Sequence, residues 1–126
     1  MKALYISATL FCVMLLSLIL SVNYLDKSCN KLNVMNISIN NSIKDSDWEK
    51  ADKNYSIYLK EWGNLYPKFS LFIDHNEIQS VNNELCKLTQ YINSKNKDEA
   101  LASNSVIIFF MEHINKAEKI TLENIF

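Results

Sequence analysis

The chain has 126 residues and a formal net charge of −1, and its 13 basic side chains are all lysine. Without arginine there is no bidentate fork to read guanine or grip phosphate, and no basic stripe exists, so nucleic acid is not an expected partner. A single glycine excludes the loops that cradle phosphates or dinucleotides, which need several glycines at fixed spacing.

The first element is the most informative. Ala3 to Leu25 runs for 23 residues without a charge, bounded by Lys2 on one side and by Asp26 and Lys27 on the other. At 1.5 Å per residue such a helix crosses the roughly 30 Å hydrocarbon core of a bilayer. The hydroxyls inside it can bond to carbonyls one turn earlier. A cleaved secretory leader has a shorter apolar region and ends at a small-x-small step, whereas this run leaves through Leu20-Ser21-Val22-Asn23-Tyr24-Leu25. Residues 1–25 are therefore expected to be an uncleaved transmembrane anchor. Lys2 and the amino terminus nearly balance Lys27 and Lys31 across the span. A short overhang before a long C-terminal part is the signal-anchor arrangement, so the bulk of the chain is expected outside the cytoplasm.

Beyond the span, Leu25, Cys29, Leu32, Asn36, Ile39 and Ile43 recur at steps of four and three, so a juxtamembrane helix over residues 26–45 is expected to continue the anchor as one rod. Asp45-Ser46-Asp47 supplies capping chemistry for a new start. Trp48, Ala51, Tyr55, Tyr58, Trp62, Leu65, Phe69 and Phe72 then keep a three-four spacing that puts them on one stripe of a helix. Gly63 and Pro67 lie inside that stripe, which keeps phase across them, so a kink within one helix is expected, with a break at Tyr66 as the fallback. Asp74 with Glu77 reads as a capping box, stapled by Ile73 and Ile78, before Ile78, Val81, Leu85, Leu88 and Ile92. Ser94 to Asp98 turns the chain, with Asn96 and Glu99 as another box. The last stripe carries Ala100, Ser103, Ile107, Phe110, Ile114 and Ala117, and the run Val106 to Met111 is apolar on all sides, as a helix buried between two others would be. The expected fold is all-α: one N-terminal transmembrane helix followed by a small antiparallel bundle of three to four helices, with residues 46–126 as the bundle. No internal repeat is visible.

Asp47-Trp48-Glu49-Lys50-Ala51, Trp62, Phe72-Ile73-Asp74-His75-Asn76-Glu77-Ile78 and the terminal Thr121-Leu122-Glu123-Asn124-Ile125-Phe126 together resemble a family of short bacterial membrane-anchored proteins, domain of unknown function 4363, found mainly in Gram-positive spore-formers. The resemblance implies an anchored helical bundle and supplies no activity. It agrees with the abundance of Lys, with 16 Asn and with 14 Ile, residues of A/T-rich codons.

Candidate chemistry is sparse. His75 and His113 come near one another if the last two helices fold antiparallel about Asn96, and Glu77 and Glu112 lie close by. Two imidazoles with carboxylates are a donor set for zinc or iron. The plainer reading assigns Asp74 and Glu77 to capping and His113 to a helix end, so no metal or other cofactor is expected. Cys12, Cys29 and Cys86 are odd in number and scattered, which is neither a disulfide framework nor a metal spacing; Cys12 and Cys86 are expected to be buried as small apolar residues. The aromatic stripe is expected in the core, with a ligand groove or partner face as the alternative. Ile125 and Phe126 either fold back on the bundle or contact a partner. No nucleophile–base pair is visible, so an enzyme is not expected. The expected function is protein–protein contact at the membrane, with another membrane or envelope protein or with a second copy; the alternative is a ligand- or metal-sensing bundle outside the cytoplasm.

Overall fold

The computed structural model describes the backbone of residues 1–125 and the side chains of residues 1–116. Four helices follow one another: α1 (Lys2–Lys44), α2 (Trp48–Phe72), α3 (His75–Asn93) and α4 (Lys97–Ile125). The fold is all-α, with no strand among the described residues.

Helix α1 is a single element with two surroundings. Its first half is long and apolar enough to cross a membrane, and from Ala3 to Leu20 no residue is buried by the rest of the chain. Its second half turns the stripe Leu25, Cys29, Leu32, Asn36, Ile39 and Ile43 into the core. Through that stripe α1 packs closely on both α2 and α4. Asn115 donates from Nδ2 to Asp26 Oδ1 at 2.7 Å, and Lys31 pairs with Glu61 at 3.0 Å, so polar contacts mark the same stretch of α1 on both flanks.

Helix α2 begins at Asp47, whose carboxylate accepts from the Lys50 N–H, and runs unbroken through Pro67. Gly63 and Pro67 both lie on the exposed face, so the carbonyl that loses its donor to the proline ring is on the water side. The stripe Ala51, Tyr55, Tyr58, Trp62, Leu65 and Phe69 is buried, while Trp48 is half-buried and Phe72 exposed. Trp62 meets Phe69 edge to face at 5.7 Å, a favoured geometry for aromatic pairs.

The two distal turns are copies of one another. At Ser46 and at Lys95 the backbone is left-handed, with φ 56° in both. The N–H of Asp47 bonds Ser42 O and that of Ser46 bonds Ile43 O; the N–H of Asn96 bonds Tyr91 O and that of Lys95 bonds Ile92 O. This double bond pattern satisfies the last carbonyls of a helix, and the residue after the left-handed one then caps the next helix. Asp47 accepts from Lys50 N, and Asn96 accepts from Glu99 N. A shift of 49 positions carries one turn onto the other, and it also carries buried Leu32, Asn36, Ile39 and Ile43 onto buried Val81, Leu85, Leu88 and Ile92. It carries Ala51, Tyr58, Trp62 and Leu65 onto Ala100, Ile107, Met111 and Ile114. The fold is two equivalent helical hairpins, a repeat of register that sequence identity does not reveal.

Candidate functional site

The described surface offers two concavities built from the residues that carry chemistry. The first lies between α3 and α4. Asp74 caps α3 by accepting from the Asn76 N–H at 2.8 Å. Glu77 does not close the expected box: its Oε1 stands 3.4 Å from His113 Nε2 on α4. The Phe109 ring stacks on the His113 ring with centroids 6.3 Å apart, and Phe110 tilts against Phe109 at 6.2 Å. Asn76, Glu77, Ser80, Phe109, Phe110 and His113 enclose an open hollow of about 270 Å³.

Of the four candidate metal ligands, the fold brings together Glu77 and His113. His75 and Glu112 are exposed and stay outside the hollow. Among the described residues no three His, Cys, Asp or Glu side chains converge. The His113 side chain is 57 % exposed, so its pairing with Glu77 is screened by water. The site is a hydrated polar pair under an aromatic lid.

Phe109 is the residue that the sequence hid. The run Val106 to Met111 reads as buried all round, yet Phe109 is 64 % exposed and only Ile107 and Met111 within the run are fully buried. The correction has a simple cause: α4 lies against α1 and α3 and leaves its far side bare. Phe109 falls off the stripe set by Ala100, Ile107 and Ile114, which was the available signal.

The second concavity lies between α2 and α3, the least closely packed of the neighbouring pairs. Tyr55, Leu59, Trp62, Asn82, Leu85, Cys86 and Thr89 line a hollow of about 250 Å³. Tyr55 donates its hydroxyl to Leu85 O at 2.6 Å and shares a bond with Thr89, and Trp62 Nε1 donates to Asn82 Oδ1 at 2.9 Å. The large rings of Tyr55 and Trp62 stand where the other hairpin has Asn104 and Met111, which separates α2 from α3 more than α4 from α1. The stripe is therefore core with one edge reaching a shallow groove.

Burial pushes the Tyr55 hydroxyl up to about 12, against the opposing pull of its Thr89 bond, and raises Tyr58 as well. Burial likewise lifts the Cys29 thiol to about 12, with the charge of Asp26 adding to it, so this sulfur is inert. Cys86 is exposed, against expectation, because its position faces away from the Leu85–Leu88 stripe. Cys12 is exposed on the apolar half of α1. Phe126 and the side chain of Ile125 lie outside the described residues.

These features define a helical-bundle protein with a long apolar N-terminal helix. A family model described as a domain of unknown function, DUF4363, matches residues 19–125, and the chain belongs to that family. The matched region takes in α1 from residue 19 onward together with the other three helices. No match was found among curated proteins or among solved structures.

Proposed function

We propose that this chain is a single-pass membrane-anchored bundle, with its bulk outside the cytoplasm, that works without catalysis by contacting another membrane or envelope protein. The apolar half of α1 supports the anchor: a surface of exposed Leu4, Ile6, Leu10, Phe11 and Leu16 demands a non-aqueous covering. The observation that carries the contact reading is Phe109, an exposed aromatic ring lying parallel to His113 beside an acidic residue, Glu77. Aromatic anchors in a pocket with a polar rim are what interface hot spots are made of.

Co-purification from the native membrane tests this. The intact chain brings down a defined partner, and Phe109→Ala loses that partner while keeping its melting temperature. Recovery of the chain with itself alone makes the contact a homo-oligomer. Unchanged partner recovery by Phe109→Ala removes this face from the proposal. The anchor reading is tested separately by resistance to alkaline carbonate extraction.

A further inference from the structure

The bundle touches the anchor at one more place than its turns require. Lys68 Nζ lies 5.1 Å over the Tyr24 ring. The pairs Asn54–Ser38 and Lys31–Glu61 set the antiparallel register of α1 and α2, and the same register brings Leu71 and Phe72 opposite Ser21 and Leu20. Those four residues, with Tyr24 and Lys68, line one open and mostly apolar hollow of about 340 Å³. Leu71 is 78 % and Phe72 44 % exposed. Leu20 lies five residues inside the uncharged run that ends at Leu25, so the end of α2 sits about 7 Å below the top of that run at 1.5 Å per residue.

We infer that the end of α2 is a second membrane contact, in which Leu71 and Phe72 enter the outer acyl region and phospholipid chains fill the hollow against Leu20 and Tyr24. This rests on the anchor reading above. What covers the surface follows from continuity: the hollow opens beside the same apolar face of α1 that the bilayer would cover. The side-chain order along α2 fits a membrane boundary, since Lys68 stands one turn nearer the distal end than Leu71 and Phe72, at the level of headgroup phosphates, with its ammonium over the Tyr24 ring. Asp74 caps α3 two residues beyond Phe72 and limits the depth, because its carboxylate stays with the headgroups. An immersion of 5–10 Å is the usual depth of an interfacial apolar face, and the register gives about 7 Å. A single helix leaves a domain free to tilt on its stalk; a second contact one helix diameter away fixes that tilt.

Tryptophan quenching by brominated acyl chains tests the inference on the full chain in phospholipid vesicles. Three single variants are compared, Leu71→Trp, Leu16→Trp and Lys95→Trp, each at an exposed position. The native Trp48 and Trp62 supply a constant background, as both lie nearer the distal end. Leu71→Trp and Leu16→Trp lose most of their added emission in brominated vesicles, and Lys95→Trp, in the distal turn, loses none. Quenching at Leu16→Trp without quenching at Leu71→Trp overturns the second contact and leaves the anchor standing. Quenching at neither overturns both.

Discussion

Tyr55 and Asn104 stand 49 residues apart at equivalent places in the two hairpins, and each donates a hydrogen bond to a main-chain carbonyl of the other hairpin: Leu85 O at 2.6 Å and Asn36 O at 2.9 Å. The same shift relates the two acceptors, so the bonds are mates under an approximate two-fold relation. What breaks the relation is size. A phenol ring props α2 away from α3, where a carboxamide lets α4 close on α1. The open seam of the bundle is thus a consequence of two aromatic choices, Tyr55 and Trp62.

Trp62 is 5 % exposed, packs edge to face on Phe69 and bonds Asn82. Trp62→Ala is expected to cost about 3–5 kcal/mol, the range for emptying a buried ring site. Tyr55→Phe removes the hydroxyl alone and is expected to cost about 0.5–1.5 kcal/mol. Denaturant melts of the two variants check the order; a near-neutral Trp62→Ala would place the ring outside the core.

Alkali should unfold the bundle. Tyr55 ionises near 10 when unfolded and near 12 when folded, and Tyr58 is raised in the same direction. The folded state therefore holds these protons more tightly, so their contribution is complete below pH 10 and is lost as pH rises toward 12. Stability measured against pH should fall through that window. Tyrosinate absorbance from these two rings should appear together with the loss of helix, and Tyr55→Phe should flatten the slope.

Thiol chemistry separates two of the cysteines. Cys86 is exposed and should be alkylated in the native protein, whereas Cys29, buried and with its thiolate disfavoured, should react only after unfolding. Mass mapping after a brief alkylation reads this directly; equal labelling would mean that the α1 stripe is open to water.

The cap of α3 is carried by Asp74 alone, since Glu77 is turned to His113. Asp74→Asn should be tolerated and Asp74→Ala should lose about 0.5–2 kcal/mol. Glu77→Ala, which leaves no side-chain acceptor for the Asp74 N–H, should cost the helix start far less than Asp74→Ala, whereas a full capping box would make both costly. Thermal melts of the three variants decide.

The helices and their stripes were legible because each is a strong periodic signal: Leu25 to Ile43, Ala51 to Phe69 and Ile78 to Ile92 are all buried as the spacing requires. The continuity of α2 through Pro67 was legible for the same reason, as the stripe never lost phase. The hairpin repeat was not, because it is carried by register and turn geometry, with Ser46 and Lys95 sharing a conformation that neither residue type announces. Phe109 was obscured by apolar neighbours, since composition tells that a run is greasy but not which side lacks a neighbour. The partnership of Glu77 with His113 over His75 depends on the rotation of α3 against α4, which spacing along one helix does not specify.

Helix α1 is one rod, apolar and exposed in its first half and a core helix of the bundle in its second. Leu25, Leu32, Ile39 and Ile43 are fully buried there, and at about 1.5–3 kcal/mol each they contribute as much as the whole net stability of an ordinary domain, about 5–15 kcal/mol. Thermal unfolding of two fragments tests this most directly. Residues 24–126 should melt in one cooperative transition, whereas residues 46–126, which keep the loosely packed α2–α3 seam and lose the helix that α2 and α4 share, should show none. A cooperative melt of 46–126 at the same temperature as 24–126 would contradict the account.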